Sequence, residues 1–372
     1  VKTEVMTKLR ELSKRAPSPN REPLWKGPTV DGITYSMFSR FIVCRERFRV
    51  KYVLGMQPAE HFNPRTGYGD MWHVCEEAHA AGKSWVGPLA EHGTGLRLRF
   101  PLQHEEIDKW TQVCATQFPC YVEHWRKNPD VLKRTPLMQE EVFDVPYKLP
   151  SGRVVRLRGK WDSVDVIGDG IYLQENKTKS DVEEAQLRRQ LSFDLQTMMY
   201  IVSLQIAQAN LRANDSRGKG IKGVRYNVVR RPLAGGKGSI RPHIARKNKP
   251  AESMPEFYAR LRDEVIMGDP GPSHFFMRLK CEVSQQEIDK FRCECLDPIL
   301  ENLCWWYDVN ITKQLPENVA RRYGVPPSHW RHPFGVYNVL DEGGSSEYDD
   351  FLATGNDAGM RYDVKLFKEL VP

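Results

Sequence analysis

Residues 159–179, GKWDSVDVIGDGIYLQENKTK, constrain this chain more than any other stretch. Two runs of alternating, β-branched and aromatic residues flank Asp169-Gly170, a dipeptide suited to the left-handed conformations of a tight two-residue turn. With Asp169 and Gly170 as the loop, Gly168 pairs with Ile171. Val164 then falls opposite Glu175, and Asp162 opposite Lys177. Side chains directly opposite in an antiparallel pair share a face, as do residues two apart on one strand. Asp162, Glu175 and Lys177 are therefore expected on one face. Two carboxylates so close repel, and burial raises a carboxylate pKa unless a cation lies between them. A hard divalent ion with oxygen ligands removes that conflict. A lysine beside it can hold a water and offset the charge of a phosphate. The same spacing also suits an ordinary surface hairpin with solvated charges, so the hairpin needs support from the rest of the chain.

The flanking pattern is helical before the hairpin and mixed after it. SMFSRFIVCRERFRVKYVLG begins at a capping-type Ser36, carries Phe38, Phe41, Phe48 and Tyr52 at helical spacing, and stops at Gly55. Further helices are expected over about 69–81, with Gly82 as C-cap, and over 105–127. Strands are expected at Val142–Tyr147 and Val154–Arg158, then the hairpin, a long helix over 182–211, and a strand in GVRYNVVRRP. Helices near 256–267 and 284–307 follow. This order predicts an α/β fold with a mixed central sheet flanked by helices. Residues 1–32 read as an extension with a short polar helix and a Pro-rich linker. Residues 33–315 read as the main domain with a helical insert at 83–135, and 316–372 as an irregular tail anchored by Trp330 and Phe334.

The chain of 372 residues is 40% hydrophobic with nine Trp, enough for a sizeable core, and no apolar run reaches the length of a membrane helix. The start, VKTEVMTKLRELSKRAPSPNREP, lacks the apolar segment of a secretory signal. Eight Cys with no CxxC pair point to reduced thiols and an intracellular setting. The net charge of +7 is unevenly spread: residues 217–251 hold eleven Lys or Arg and no Asp or Glu. Arg225, Arg230 and Arg231, with the loop cations Arg241, Arg246, Lys247 and Lys249, form the best candidate for a phosphate-tracking surface, although such a run is commonly just a solvated face.

Gly159-Lys160-Trp161-Asp162, followed thirteen residues later by Glu175-Asn176-Lys177-Thr178, resembles the G-x-x-D … E-x-K-T core of the PD-(D/E)XK nucleases. Two further motifs are similar to their RecB-like branch, which includes AddB-type and CRISPR-adaptation nucleases. They are Gly69, His73 and Glu77 in a G-x-x-x-H helix, and Gln196 with Tyr200 in a Q-x-x-x-Y helix. The opening YSMFSRFIVCRERFRVKYVLG also resembles that branch's first helix, and while each motif is weak alone, four in the right order are fairly specific. The resemblance implies a restriction-endonuclease-like α/β core that binds one or two Mg²⁺ or Mn²⁺ ions. Its ligands would be His73, Asp162, Glu175 and the backbone carbonyl of Asn176. Lys177 would be the catalytic lysine and Glu77 an accessory acid; His79, six residues after His73 and off its helix face, reads as structural. Gln196, Tyr200 and Thr178 would meet nucleic acid.

The expected activity is DNA phosphodiester hydrolysis, in exonuclease form, during recombination, repair or phage DNA metabolism. The expected setting is the cytoplasm of a prokaryotic cell or a phage-infected host. The substrate would be DNA, single-stranded or with free ends. A helicase or recombination partner would supply any motor, since GGKGS at 235–239 lacks P-loop spacing. An inactive nucleic-acid-binding protein of the same fold and an RNA endonuclease are the alternatives. Some relatives hold an iron–sulfur cluster. Here Cys44 matches the first position, but Cys281, Cys293, Cys295 and Cys304 lack the compact spacing, so none is expected and these thiols read as core residues.

Overall fold

The computed structural model describes residues 23–58, 60–130, 133–180, 183–192, 194–211, 220–233, 240–245, 247, 250–312 and 360–362. The expected N-terminal helix, Trp330 and Phe334 lie outside the described residues. The order is α1 (Tyr35–Val43), α2 (Pro64–Ala80), α3 (Val86–Arg99), α4 (His104–Lys127), β1 (Arg134–Lys148), β2 (Val154–Ile167), β3 (Gly170–Lys179), α5 (Glu184–Leu191), α6 (Leu195–Leu211), β4 (Ile221–Arg230), α7 (Met254–Arg260), β5 (Phe276–Glu282), α8 (Gln285–Phe291) and α9 (Asp297–Tyr307). Short helical turns extend α1, α7 and α8. A three-residue strand, Met56–Pro58, pairs with Met360–Tyr362.

The five strands form one mixed sheet in chain order, with β3 and β4 parallel and every other neighbouring pair antiparallel. A parallel pair needs a long crossover, and α5 and α6 supply it. Val228 and Val229 show the layering: adjacent strand residues point to opposite faces, and they belong to different cores. Val228 joins a cluster with Val164, Leu173 and Tyr226 of the sheet, Phe38 of α1, Met199 of α6 and Leu300 of α9. Val229 joins a second cluster with Met71 and Trp72 of α2, Leu89 of α3, Phe118 of α4 and Phe257 of α7. The α/β class expected from the sequence is present.

Several local expectations need correction. The hairpin loop is Gly168-Asp169: Ile167 pairs with Gly170 and Val164 with Leu173. Gly168 takes φ +63° and so meets the turn's need for a left-handed residue. Moving the loop by one residue slides the register by two, which preserves the face of every side chain. Asp162 consequently stands next in line with Glu175, not Lys177. The cap of α1 is Thr34, whose side chain accepts from the Met37 N–H at 3.4 Å, not Ser36. Asn63 and Pro64 start α2 five residues before Gly69. The single helix expected over 182–211 is two, because Asp194 Oδ1 accepts the Thr197 N–H at 3.0 Å and starts α6 afresh.

β1 extends well beyond the expected six residues, with a register shift beside Pro136, where a strand tolerates proline. α3 and α4 fall within the helical insert expected at 83–135, whereas β5 is not among the expected strands. VGPLAEHGTGLRLR has poor helix propensity. Its Gly93 lets α3 approach α4 closely, since a Cβ there would lie 3.1 Å from Thr111 Oγ1. Part of the expected linker belongs to the core: Trp25 is fully buried, donates to the Gly32 carbonyl at 2.9 Å, and meets Phe48 and Tyr307 edge-on.

Candidate metal and nuclease site

The site forms where β2 and β3 separate. Their ladder ends at Ser163–Gln174. One step beyond, the Asp162 carboxylate takes the place of a strand partner: its Oδ2 accepts the backbone N–H of Asn176 at 2.8 Å. Helix α2 crosses above, and the approach is close enough that a Cβ on Gly69 would lie 3.3 Å from Thr178 Oγ1. One turn later, His73 brings Nδ1 within 3.7 Å of Asp162 Oδ2.

On the other side of Asp162 is Glu140. Its neighbours Gln139 and Glu141 pair with Ser163 and Trp161, which puts Glu140 across from Asp162. His73, Glu140 and Asp162 can each offer an oxygen or nitrogen within 4.8 Å of the other two. Glu140 has φ +50° and, among the described residues, no other non-glycine has a positive φ. Such strain persists where the surrounding structure fixes a side chain for a task. No motif marks Glu140, and only the strand register brings it here. Lys160 lies against its carboxylate.

Glu175 and Lys177 are two apart on β3 and meet directly: Lys177 Nζ donates to Glu175 Oε1 at 2.8 Å. Gln196, at the start of α6, closes a triangle. Its Oε1 accepts from Lys177 Nζ at 2.7 Å, and its Nε2 donates to Glu175 Oε1 at 3.0 Å. Glu175 is 4% exposed, and its Oε2 is buried without a hydrogen-bond partner.

Burial raises the pKa of Asp162 to about 7, with Glu140 adding to it and the Asn176 N–H opposing it. Burial likewise raises Glu175 to about 7, with Asp162 adding and Lys177 opposing. For Lys177, burial pulls the pKa down, but Glu175, Asp194 and Asp162 outweigh it and the net shift is upward. The site thus holds two cations, Lys177 and Lys160, and still leaves its buried carboxylates short of positive charge. That is the donor chemistry a hard divalent ion satisfies. Tyr35, at the start of α1, borders the same charges: burial and Asp194 push its hydroxyl pKa up.

The remaining residues singled out in the sequence are dispersed. Glu77 is exposed and lines a cleft of about 190 Å³ together with Glu140, Asp162 and Asn176. Its neighbour Glu76 is buried and accepts from Asn227 Nδ2 at 3.2 Å, while the same amide donates to Asn176 Oδ1 at 2.9 Å. The side chain of Asn176 is thereby fixed from β4.

Tyr200 belongs to the core. Its ring meets Phe143 edge-on at 5.3 Å and is 8% exposed, so the residue expected to meet nucleic acid packs against the sheet. Gly159 makes room for both rings, because a Cβ there would lie 2.7 Å from Phe143 and 3.2 Å from Tyr200. Tyr200 therefore seats α6 on the sheet, and Gln196, one turn earlier, is aimed at Lys177.

Arg225 and Arg231 are buried rather than displayed on a surface. Arg225 donates to Gln174 Oε1 at 2.7 Å and contacts Asp130. The Arg231 N–H donates to the Lys179 carbonyl at 2.8 Å, and Arg230 lies against His274. Arg246 and Lys249 are outside the described residues. His79 is exposed, with its ring 6.0 Å from that of Phe118. All eight cysteines are free thiols. Cys44, Cys281 and Cys304 are buried, and Cys293 is exposed.

No curated protein matches this chain closely enough to stand as a relative. Residues 33–285, which contain every strand of the sheet and all of His73, Glu140, Asp162, Glu175, Lys177 and Gln196, match the PD-(D/E)XK nuclease superfamily. That span is more than half of the chain, and the chain belongs to the PD-(D/E)XK nuclease superfamily.

Proposed function

We propose that the protein is a divalent-metal-dependent deoxyribonuclease of the RecB-like kind, with Mg²⁺ or Mn²⁺ as its ion. One observation carries the reading: His73, Glu140 and Asp162 converge within 4.8 Å beside the Glu175–Lys177–Gln196 triangle, of which Glu175 is buried. His73, Glu140, Asp162 and Glu175 would hold the ion, with the Asn176 carbonyl as a further ligand. The buried, partnerless Glu175 Oε2 fits that role. When bound, the ion supplies charge stabilisation at the phosphate and a more acidic water.

The chain's own groups do the rest. Lys177 is charged and pinned between Glu175 and Gln196, so its ammonium is preorganised to hold a phosphate oxygen as negative charge develops there. In the hydrolysis, a water oxygen bonds to phosphorus while the bridging P–O bond breaks, and the leaving oxygen takes up a proton. Glu77, at the exposed rim of the same cleft, is the accessory acid in this reading. The Gln196-x-x-x-Tyr200 spacing shared with RecB-like enzymes supports DNA, rather than RNA, as the substrate, and an exonuclease is the form proposed.

The test is digestion of end-labelled linear and circular DNA, and of matched RNA, with Mg²⁺, Mn²⁺ or EDTA. Metal-dependent DNA cleavage abolished by Asp162→Ala and by Lys177→Ala is expected. Cleavage in EDTA, or cleavage undiminished in either variant, would falsify the assignment. Loss of cleavage on the circle alone identifies the exonuclease.

A further inference from the structure

A second and larger cleft, of about 680 Å³, adjoins the metal site; Glu76, Ala80 and Arg134 line both. Its walls carry five cations, Arg126, Lys133, Arg134, Arg225 and Arg278, against two carboxylates, Glu76 and Asp130. The carboxylates are already engaged. Glu76 is hydrogen-bonded to Asn227. Asp130 Oδ2 accepts from Arg278 Nη1 at 2.8 Å and also contacts Arg225.

Two guanidiniums share one neutral acceptor, because Gln174 Oε1 takes Arg134 Nη1 at 2.5 Å and Arg225 Nη1 at 2.7 Å. Burial, and then the charge of Arg278, depress the pKa of Arg225. Behind them, the buried Asp165 lies 3.4 Å from Arg134 Nε. Crowding three guanidiniums here costs energy that a bound anion would relieve. Arg126 and Lys133 stand exposed at the cleft wall. Trp125 adds an aromatic surface, with the Arg278 guanidinium 3.8 Å from its ring centre. Cations interleaved with an aromatic side chain are what a single nucleic-acid strand requires: charge for the backbone and a ring for a base.

We infer that this cleft seats a phosphate of a single nucleic-acid strand as it runs from the metal site, with the attached base against Trp125. The inference rests on the nuclease reading and names the form of its substrate at this point. A cleft of about 680 Å³ falls in the size range of sites for single small ligands, ~300–1,000 Å³. That is the size of a single nucleotide. Gln174 is adjacent to Glu175 and ties the cleft's arginines to the strand that carries the reacting groups.

The test uses the full chain and the variant Arg126→Glu/Lys133→Glu, both positions being exposed; an unchanged melting temperature verifies its fold. Anisotropy of a labelled single-stranded oligonucleotide is measured in EDTA over a range of salt, with and without a terminal phosphate, beside a blunt duplex. The variant is expected to bind the single strand at least about tenfold more weakly. Its slope of log K against log salt should fall by about 0.7 for each phosphate no longer neutralised. Blunt-duplex binding should change far less. Affinity that depends on the terminal phosphate means the cleft holds a strand end, and independence means an internal phosphodiester. Single-strand affinity and salt slope equal to wild type, or an equal loss for duplex, overturns the inference. Because binding in EDTA needs no catalysis, failure of this inference is separable from failure of the nuclease reading, which wild-type digestion with metal decides.

Discussion

Lys177 Nζ reaches Gln196 Oε1 at 2.7 Å, joining β3 to the first turn of α6. The ammonium has carboxylate neighbours enough to stay charged, and the amide decides where it points. Removing the amide leaves charge and burial in place, along with the Lys177–Glu175 contact at 2.8 Å, but takes away the second anchor that fixes the direction of the ammonium. Gln196→Ala is therefore expected to lower kcat by about 10²-fold, the scale at which a misplaced group near the reacting atoms costs rate. KM should change little. Steady-state kinetics on the best substrate checks this, and a variant that alters KM alone refutes the positioning role.

The same helix is held by a packing contact rather than a polar one. Gly159, Phe143 and Tyr200 fit together with no space for a Cβ on Gly159. Gly159→Ala should cost about 1–3 kcal/mol through overpacking, seen as a lowered Tm. Tyr200→Phe keeps the ring and should leave single-strand affinity unchanged. A Tyr200→Phe variant that binds nucleic acid much more weakly would show that the tyrosine does meet substrate.

How far the sequence reveals the site depends on the range of the contacts involved. Asp162, Glu175 and Lys177 share a face by local alternation, and that parity survives the two-residue register slide because strand period is two. The turn itself is ambiguous in sequence, since glycines flank Asp169 on both sides and only the folded backbone shows that Gly168 takes the positive φ. The bounds of α3 are not legible, because its glycines and proline give weak helix propensity that packing overrides, whereas β5 does carry period-two alternation, with Leu279 and Cys281 buried and Lys280 and Glu282 exposed. Glu140 comes to Asp162 only through the pairing of β1 with β2. Tyr200 looks like a ligand-binding residue by spacing, yet its neighbours Met198, Met199, Ile201 and Val202 already mark the stretch as core.

Glu140 allows charge and backbone to be separated. Its φ of +50° is strained for any residue with a Cβ and relaxed for glycine. Glu140→Ala and Glu140→Gly both remove the carboxylate, so both should weaken divalent-ion binding by about tenfold or more, the scale for removing groups around a metal. Glu140→Gly should nevertheless melt above Glu140→Ala, by roughly 1 kcal/mol, the left-handed penalty for a residue with a Cβ. Calorimetric titration with Mn²⁺ and thermal melts supply the two readouts. Unaltered ion binding in both variants would remove Glu140 from the ligand set.

Asp162 and Glu175 set the pH response of the metal-free protein. Burial holds both near pKa 7, above their ordinary values of 3.8 and 4.5. The folded state therefore keeps protons that the unfolded chain has released, and stability falls as pH rises wherever the folded state binds more protons. These two groups stabilise the fold below about pH 4, and that contribution is lost progressively as pH rises towards 7. An ion displaces the same protons, so its affinity should increase with pH up to about 7 and then level. Melts in EDTA across this window should show wild type losing ground to Asp162→Asn/Glu175→Gln as pH rises. Saturating Mn²⁺ should reverse the order at pH 7 by stabilising wild type alone. A wild-type-minus-variant difference in Tm that stays flat from pH 4 to 7, or an ion affinity insensitive to pH over that range, would show that the two carboxylates are already charged without a metal.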